Sequence, residues 1–334
     1  MKAIQFKTTG GPEVLDLVEL PMPRPGHDEV LIRIRAAGVG KPDVLMRTGV
    51  YRWMPPLPAI PGAEMSGTIE ALGAGVDTSQ LRVGQRVLGY HFKGRGYAEY
   101  AAIPASDVSP LADGVDFDDA VSLPNYQVAY ALLHIAARGA DKDVVYVNGA
   151  AGGVGCAVIQ LCRLAGLTVI AGASSDEKCA FARTQGAQHT INYSRENVAD
   201  RVLEMTGGHG ANLVLDHIIG KTFTDSLRMI ASMGLIVSFN ALGGFPEKDL
   251  FREMRANLPK SPGVRCFTMH HFDHDPAGRQ KLAAQVMALF AARKVRPPIH
   301  DRLPLAEART AHRLLDERAI MGKLVLNPSH SSSI

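Results

Sequence analysis

The stretch YVNGAAGGVG, residues 146–155, carries almost no bulky side chains after its first two positions. The segment that precedes it, DVVYV, has the β-branched and aromatic residues of a buried strand. The segment after it has apolar residues at helical spacing up to Gly166, which is placed to end the helix. The stretch therefore predicts a strand-to-helix turn. Its glycines would let the phosphates of a ligand reach the amides at the helix N-terminus.

Strand and helix patterns alternate along the chain from about residue 125 onward. The predicted strands are 143–148, 167–172, 189–192, 211–216, 234–239 and 264–269, and the predicted helices are 153–165, 176–185, 195–205, 221–232 and 276–292. This alternation is typical of stacked βαβ units, so we predict a doubly wound parallel sheet.

The two ends of the chain have a different composition and sequence pattern. Residues 1–124 are rich in Gly and Pro and hold short β patterns, which indicate a partly open antiparallel barrel. The segment from residue 270 returns to this mixed sequence pattern. We predict one domain from residues 1–124 and 270–334, with residues 125–269 inserted as a second domain. A substrate is expected in the cleft between them.

Composition argues against several classes of protein. The 36 Lys and Arg residues nearly balance the 33 Asp and Glu residues and form no basic block, so a nucleic-acid-binding protein is not expected. The four cysteines are scattered without a C-x-x-C pair, which indicates reduced thiols. The N-terminus has no signal-peptide pattern, and no apolar run is long enough for a membrane span. We predict a cytoplasmic protein.

The glycine motif in the 146–155 turn is an imperfect G-x-G-x-x-G, with Ala150 at its first position and Gly152 and Gly155 at the others. Taken alone, it also fits a tight turn that binds nothing. Its place at the start of the first βαβ unit favours a dinucleotide site. We predict that Gly152, Gly153 and Val154 contact the cofactor.

The end of the second strand of this unit indicates which dinucleotide binds. An NAD-selective site has Asp or Glu here to bind the ribose hydroxyls. This chain has Ser174 instead, and Lys178 follows on the next helix. A hydroxyl and a lysine accept a 2′-phosphate where a carboxylate would repel it, so NADPH is predicted over NADH. The alternative is that Ser174 caps the helix and Lys178 is a solvated surface residue.

Further motifs occur in order along nearly the whole chain: AAGGVG after a strand, INY at 191–193, GLIVSF at 234–239 and IPGAEMSG at 60–67. With them the sequence resembles the medium-chain dehydrogenase/reductase superfamily, and within it the zinc-independent quinone oxidoreductase branch. The resemblance implies an α/β architecture, in which a GroES-like barrel domain surrounds an inserted Rossmann domain.

The resemblance also implies further cofactor residues. Tyr193 and Arg318 match family positions around the 2′-phosphate, together with Ser174 and Lys178. The ends of the later sheet strands line the crevice near the nicotinamide. Three residues at those ends are expected to approach it: Phe239, Asn240 and Phe267.

The zinc enzymes of this superfamily hold catalytic zinc with a Cys after the AAGV motif and a His in a G-H-E motif. This chain has Gly40 and Ala63 there, neither of which has a donor atom, and Glu64 alone does not make a three-ligand site. The cluster HHFDHD at 270–275 has suitable donors, but consecutive histidines point in different directions. A solvated loop explains this cluster, and no metal is predicted.

Without zinc, hydride delivery to a simple aldehyde would leave charge on one unsupported oxygen. The Y-x-x-x-K pair of short-chain reductases is also missing from the sequence. A quinone or an α,β-unsaturated carbonyl spreads the charge over a conjugated system. We therefore predict a zinc-independent, NADPH-dependent reductase of a quinone or enone.

Residues of the substrate pocket follow from the resemblance as well. Five residues stand at positions that line this pocket: Gly40, Asp43, Leu45, Tyr51 and Gln127. Gly40 and Leu45 stand where the branch often has an asparagine and a tyrosine, so a wider, more apolar pocket is expected. Tyr51 is predicted to orient a carbonyl oxygen, with a packing role as the alternative, and Asp43 is expected to hold its loop together.

Two other functions remain open at this point. One is an enoyl-thioester reductase of the same fold, and the other is a dinucleotide-binding protein with little catalysis. The family often dimerises by extending the Rossmann sheet across a two-fold axis, and the β-rich segment 264–269 suits such an edge. A homodimer is therefore predicted.

Overall fold

The chain forms two compact units in a computed structural model that describes residues 1–328, except for the side chain of Lys221. Among these residues, the first unit contains Met1–Pro124 and 296–328, and the second contains Asn125–Val295. No helix among the described residues is long and apolar enough to cross a membrane.

The segment 270–295 lies in the second unit, although its mixed sequence pattern predicts that it joins the first. The reason is hydrophobic burial. Phe272 and Leu282 are buried in one cluster with Ala131, which belongs to the second unit. The sequence pattern of the segment does not predict this cluster, because Ala131 lies about 140 residues earlier in the chain than Phe272.

The strands of the N-terminal part follow the expected alternation of apolar and polar residues. In VLIRIRA, Ile32 and Ile34 are buried while Arg33 and Arg35 are exposed, as in a strand with one face on the core. The strands are β1 (Lys2–Gln5), β2 (Asp16–Glu19), β3 (Glu29–Val39), β4 (Glu64–Leu72), β5 (Arg86–Tyr90), β6 (Tyr100–Pro104) and β7 (Val108–Pro110). The helices are α1 (Lys41–Arg47), α2 (Phe117–Ala120) and α3 (Leu123–Ala131), the last of which crosses into the second unit.

The second unit alternates strands and helices. Its strands are β8 (Val144–Asn148), β9 (Thr168–Ala173), β10 (His189–Asn192), β11 (Ala211–Asp216), β12 (Ile230–Ser238) and β13 (Gly263–Cys266). Its helices after α3 are α4 (Gly153–Leu164), α5 (Asp176–Gln185), α6 (Val198–Met205), α7 (Phe223–Met229), α8 (Leu250–Ala256) and α9 (Pro276–Ala291). The chain then returns to the first unit with β14 (Ile299–Pro304), α10 (Ala308–Asp316) and β15 (Lys323–Asn327).

The first unit is built on a seven-stranded sheet in the order β14-β15-β3-β4-β5-β7, with β6 paired to β3. All of its pairs are antiparallel except β14 with β15, and β1 and β2 form a separate hairpin. The C-terminal strands thus complete the sheet of the N-terminal segment. This return makes the second unit an insertion, as the resemblance implies.

The second unit is a six-stranded parallel sheet in the order β10-β9-β8-β11-β12-β13. After β8 the chain builds outward to β9 and β10, and it then returns to the other side of β8 with β11. The strand order therefore reverses between β8 and β11, and open sheets of this kind bind ligands at that point, beyond the carboxyl ends of the strands. The predicted doubly wound architecture is confirmed.

Several elements differ from the predicted ones, and the strand predicted for 264–269 already ends at Cys266. The helix predicted for 221–232 ends at Met229, since Ile230 already pairs with β11 as the first residue of β12. Helix α8 was not predicted; none of its residues is buried, although Met254 packs against the core of this unit. Its side-chain cap, Asp249, was the available signal.

Candidate functional site

The turn between β8 and α4 leaves little room for side chains. Gly149 has a φ of +65°, in the left-handed region that favours glycine. A Cβ atom on Gly153 would overlap the side-chain amide of Asn125, and one on Gly155 would lie 2.7 Å from Ala150 Cα. Larger residues at these two positions would displace α4.

Helix α4 begins without a side-chain cap, since its N-cap is Gly152. In contrast, four neighbouring helices of this unit, α5, α6, α8 and α9, are capped by side chains: Ser175, Asn197, Asp249 and Asp275. A Cβ on Gly152 would meet one described atom within 4 Å, the carbonyl oxygen of Gly149 at 3.4 Å, so the space before the first turn is open. Exposed amides and the helix dipole at such an end attract an anion, and the turn fits a diphosphate.

Three of the four residues predicted around the 2′-phosphate, Ser174, Lys178 and Tyr193, lie together at the carboxyl end of β9. Lys178 Nζ is 3.4 Å from Ser174 Oγ. The amide of Tyr193 donates to Ala173 O at 3.0 Å, because β10 pairs with β9, and its ring is exposed. The residue that caps α5 is Ser175, which accepts from the amide of Lys178 at 3.2 Å. Ser174 therefore does not cap α5, and Lys178 is partly buried.

Arg195 is a cation at this end of the sheet that the sequence analysis missed. Its Nη1 atom lies 2.6 Å from Asp176 Oδ2, while Asn192 donates to Asp176 Oδ1 at 2.6 Å. Asp176, which follows the two serines, is thus already paired with a cation. Its electrostatic repulsion of an anion bound beside Lys178 is therefore weaker. The available signal was the position of Arg195, two residues after the INY motif.

Residues predicted near the nicotinamide lie where β11, β12 and β13 end. The amide of Phe239 donates to Asp216 O at 3.2 Å, and the amide of Phe267 donates to β12. Asn240 accepts from the amide of Ala241 at 2.8 Å through its side-chain oxygen. Phe267 also packs against the small cluster that contains Phe272. Both phenylalanines thus follow neighbouring strands, but the ring of Phe267 is used in packing.

Two further residues at this edge were not singled out by the sequence. The side chain of Asn125 packs against Gly153, and the ring of His217 lies against Gly149. His217 also lies beside Phe239, with ring centroids 5.5 Å apart. Both contacts join residues far apart in the chain, so periodicity carries no signal for them.

In the first unit, Asp43 fastens α1 to the chain before β4. Its Oδ2 atom accepts from the amide of Gly40 at 2.9 Å, and its Oδ1 atom accepts from the amides of Gly62 and Ala63 at 3.0 Å each. Burial, and then the charge of Glu64, raises the pKa of Asp43 to about 6, against the opposing effect of these amides. These are the contacts of a residue that holds a loop in place.

Tyr51 is half-buried and packs edge-on against Trp53, with ring centroids 5.6 Å apart. Burial, followed by the negative charge of Asp43, raises the pKa of Tyr51 to about 12. Its hydroxyl is therefore a neutral hydrogen-bond donor at physiological pH. Leu45, partly buried on α1, accepts from the amide of Val50 at 3.1 Å and thereby fixes the turn that leads to Tyr51.

Gln127 and Arg318, the two remaining predicted residues, belong to different units. Gln127 is partly buried on α3, in the second unit. Arg318 follows α10 in the first unit and has a φ of +55°. Their roles stay predictions.

Glu64, the one carboxylate left at the position of a zinc site, forms a buried ion pair with Lys323. The HHFDHD segment forms a short 3-10 helix over Met269–His274, in which His270 Nδ1 lies 2.8 Å from Asp273 Oδ2. Within residues 1–328, no group of three or more His, Cys, Asp or Glu residues is arranged to hold a metal ion.

Comparison with known proteins places the chain in a family. Residues 26–113 match the alcohol dehydrogenase GroES-like domain family, and residues 153–269 match the zinc-binding dehydrogenase family. A quinone oxidoreductase of Pseudomonas aeruginosa is 35% identical, over 98% of this chain and 99% of its own length.

Solved structures match the whole chain as well. The structure of Escherichia coli quinone oxidoreductase complexed with NADPH has a TM-score of 0.89 at 27% identity, over 98% of this chain and 100% of that chain. A mycobacterial protein complexed with NADPH has a TM-score of 0.88 at 33% identity, with the same coverage. Both units are therefore shared with these relatives.

Proposed function

The chain belongs to the quinone oxidoreductase family of the medium-chain dehydrogenase/reductase superfamily, and we propose that it is an NADPH-dependent reductase of a quinone or an α,β-unsaturated carbonyl. The observation that carries this proposal is the edge of the parallel sheet in the second unit. There the uncapped N-terminus of α4 and the pair Ser174–Lys178 offer two separate anion sites, one for a diphosphate and one for a 2′-phosphate.

When bound, the dihydronicotinamide supplies the hydride. The amides of Gly153 and Val154 at the start of α4 hold the diphosphate, next to Gly152. Ser174, Lys178 and Tyr193 hold the 2′-phosphate, and Arg318 adds a second cation. Three residues at the strand ends border the nicotinamide: Phe239, Asn240 and Phe267.

The residues of the first unit favour an acceptor that needs little help with its developing charge. Gly40 and Ala63 have no side-chain atom that could bind a metal ion, and Glu64 is already paired with Lys323. Tyr51 remains protonated up to high pH and orients the carbonyl oxygen by donating a hydrogen bond. Charge that spreads over a quinone or enone is stabilised sufficiently by one such donor.

The remaining pocket residues have supporting roles. Asp43 holds the loop that leads to Tyr51, and Gly40 and Leu45 leave the pocket wide and apolar. Gln127, on α3, borders the nicotinamide amide. We also propose a homodimer that forms through β13, one of the two edge strands of the parallel sheet.

The experiment that tests this function is oxidation of NADPH and NADH by the purified protein after treatment with a chelator. The acceptors are 1,4-benzoquinone, 9,10-phenanthrenequinone, an aliphatic enone, crotonyl-CoA and a simple aldehyde. We expect turnover of a quinone or the enone with NADPH, at the same rate before and after chelation. Turnover of crotonyl-CoA alone would instead identify a thioester reductase. Tight NADPH binding without turnover of any acceptor would identify a binding protein.

A further inference from the structure

His217 is the first residue after β11, on the line where the strand order of the parallel sheet reverses. The register of β11 against β8 pairs Val214 with Tyr146 and Leu215 with Val147. Continued by two residues, it places His217 opposite Gly149, the first residue of the glycine turn. The ring confirms this placement, because a Cβ atom on Gly149 would overlap its Cε1 atom.

The backbone around His217 is held firmly. Asp216 is 1% exposed, and its Oδ1 atom accepts from the side chain of Asn148 at 3.0 Å and from the amides of Ile218 at 2.8 Å and Ile219 at 3.2 Å. Ile219 has a φ of +56°, which is uncommon for a β-branched residue. The carboxylate of Asp216 therefore maintains a strained turn. This turn directs the side chain of His217 to the sheet edge.

The ring of His217 is fixed as well, but it is not fully buried. It lies between the backbone of Gly149 and the ring of Phe239, with a centroid distance of 5.5 Å and an interplanar angle of 38°. Of its two nitrogens, Nε2 is the closer to the Gly149 Cβ position, at 2.8 Å against 3.5 Å for Nδ1. A polar edge of the imidazole thus borders the turn that begins α4.

We propose that His217 is a cofactor-binding residue, whose Nε2–H donates a hydrogen bond to the diphosphate of the bound dinucleotide. This inference rests on the proposed function, since it requires a dinucleotide at the switch point. A diphosphate at the N-terminus of α4 receives backbone amides from one side of the crevice, and His217 supplies a side-chain donor from the β11 side. Every nicotinamide dinucleotide carries this group, so His217 contributes to affinity and not to the choice between NADPH and NADH.

The test compares two variants of His217 with Lys178→Ala by isothermal titration with NADPH, NADH and ADP-ribose. ADP-ribose carries the diphosphate but neither the nicotinamide nor the 2′-phosphate. His217→Phe keeps a ring for packing against Phe239 and removes the donor. His217→Gln can place an amide donor near the position of Nε2. Thermal unfolding of each ligand-free variant controls for folding.

We expect His217→Phe to weaken all three ligands by about tenfold, as for the loss of one hydrogen bond to a charged group. His217→Gln should bind within about threefold of the wild type for the same reason. A purely structural role for the ring predicts the opposite order, with His217→Phe near wild type and His217→Gln weaker, and that order would overturn the inference.

The outcome for Lys178→Ala separates this inference from the proposed function. If Lys178→Ala weakens NADPH selectively while His217→Phe changes no ligand, the NADPH site stands and the role of His217 is wrong. If the wild-type protein binds none of the three ligands, both proposals are wrong.

Discussion

At the scale of single residues, we propose that Lys178 decides between two cofactors that differ by one phosphate. Its ammonium lies beside Ser174 Oγ at 3.4 Å, and Asp176, one of the two acids that precede it in the chain, is paired with Arg195. We expect Lys178→Ala to weaken NADPH binding about tenfold or more and to change NADH binding by less than twofold, because only NADPH carries the 2′-phosphate. Titration of each cofactor measures this directly. Equal losses for both cofactors would mean that the phosphate binds elsewhere.

Asp43 gives a prediction about pH, also at the residue scale. Its pKa is raised from 3.8 to about 6 in the folded protein, so between these values the folded state keeps a proton that the unfolded state releases. The free energy of unfolding should therefore fall as pH rises from about 4 to 6, by up to about 3 kcal/mol from this group.

The matched variant is Asp43→Asn, which has no charge to gain. Its free energy of unfolding, measured by denaturant titration, should approach or pass that of the wild type as pH rises through this window. A difference between the two proteins that is constant from pH 4 to 7 would contradict the raised pKa.

At the scale of elements, α1 and α10 of the first unit are joined by an ion pair that is buried at Arg47 and partly exposed at Asp316. Arg47, on α1, is 2% exposed, and its Nη2 atom lies 2.7 Å from Asp316 Oδ2, on α10. Within residues 1–328, its Nε and Nη1 atoms have no partner. His312 does not compete for Asp316 as a second cation, since burial, and then the charge of Arg47, lowers its pKa to about 3.

Asp316→Ala should therefore leave a buried guanidinium without its carboxylate and cost about 3 kcal/mol of stability. The double variant Arg47→Met/Asp316→Leu removes both charges and should regain much of that loss. Midpoints and slopes of urea unfolding compare the three proteins. Equal destabilisation of the single and double variants would show that packing, and not the unpaired charge, sets the cost.

At the scale of the whole molecule, β13 bounds the parallel sheet and pairs with β12 on one side only among the described strands. The amide of Phe267 points to β12, so by strand alternation the amide of Val264 points outward. We expect light scattering to give twice the chain mass of 35.8 kDa at micromolar concentration.

Val264→Pro should shift the protein towards a monomer, because it removes an edge donor that a partner strand would use. A ligand-free thermal melt controls for folding. A wild-type protein that is already monomeric would contradict the proposed homodimer.

Local signals in the chain were sufficient to predict the alternating elements of the second unit. Gly152, the β-branched run before it and the apolar spacing after it predict β8 and α4, because each depends on neighbours within one or two turns. The pair Ser174–Lys178 was predictable for the same reason, since Ser174 directly precedes the N-cap of α5 and Lys178 lies in its first turn. The limit appears at exposed elements: the strand predicted for 264–269 ends at Cys266 as β13, and α8, none of whose residues is buried, was not predicted.

The sequence by itself thus determined the parallel sheet, its glycine turn and the proximity of Ser174 and Lys178, because short-range spacing encodes them. Only the tertiary structure decided that 270–295 packs on the second unit, that Arg195 neutralises Asp176, and that His217 faces Gly149. Each of these depends on a contact between residues far apart in the chain or on opposite sides of a strand crossing. Strand order and burial create such contacts, and no local pattern records them.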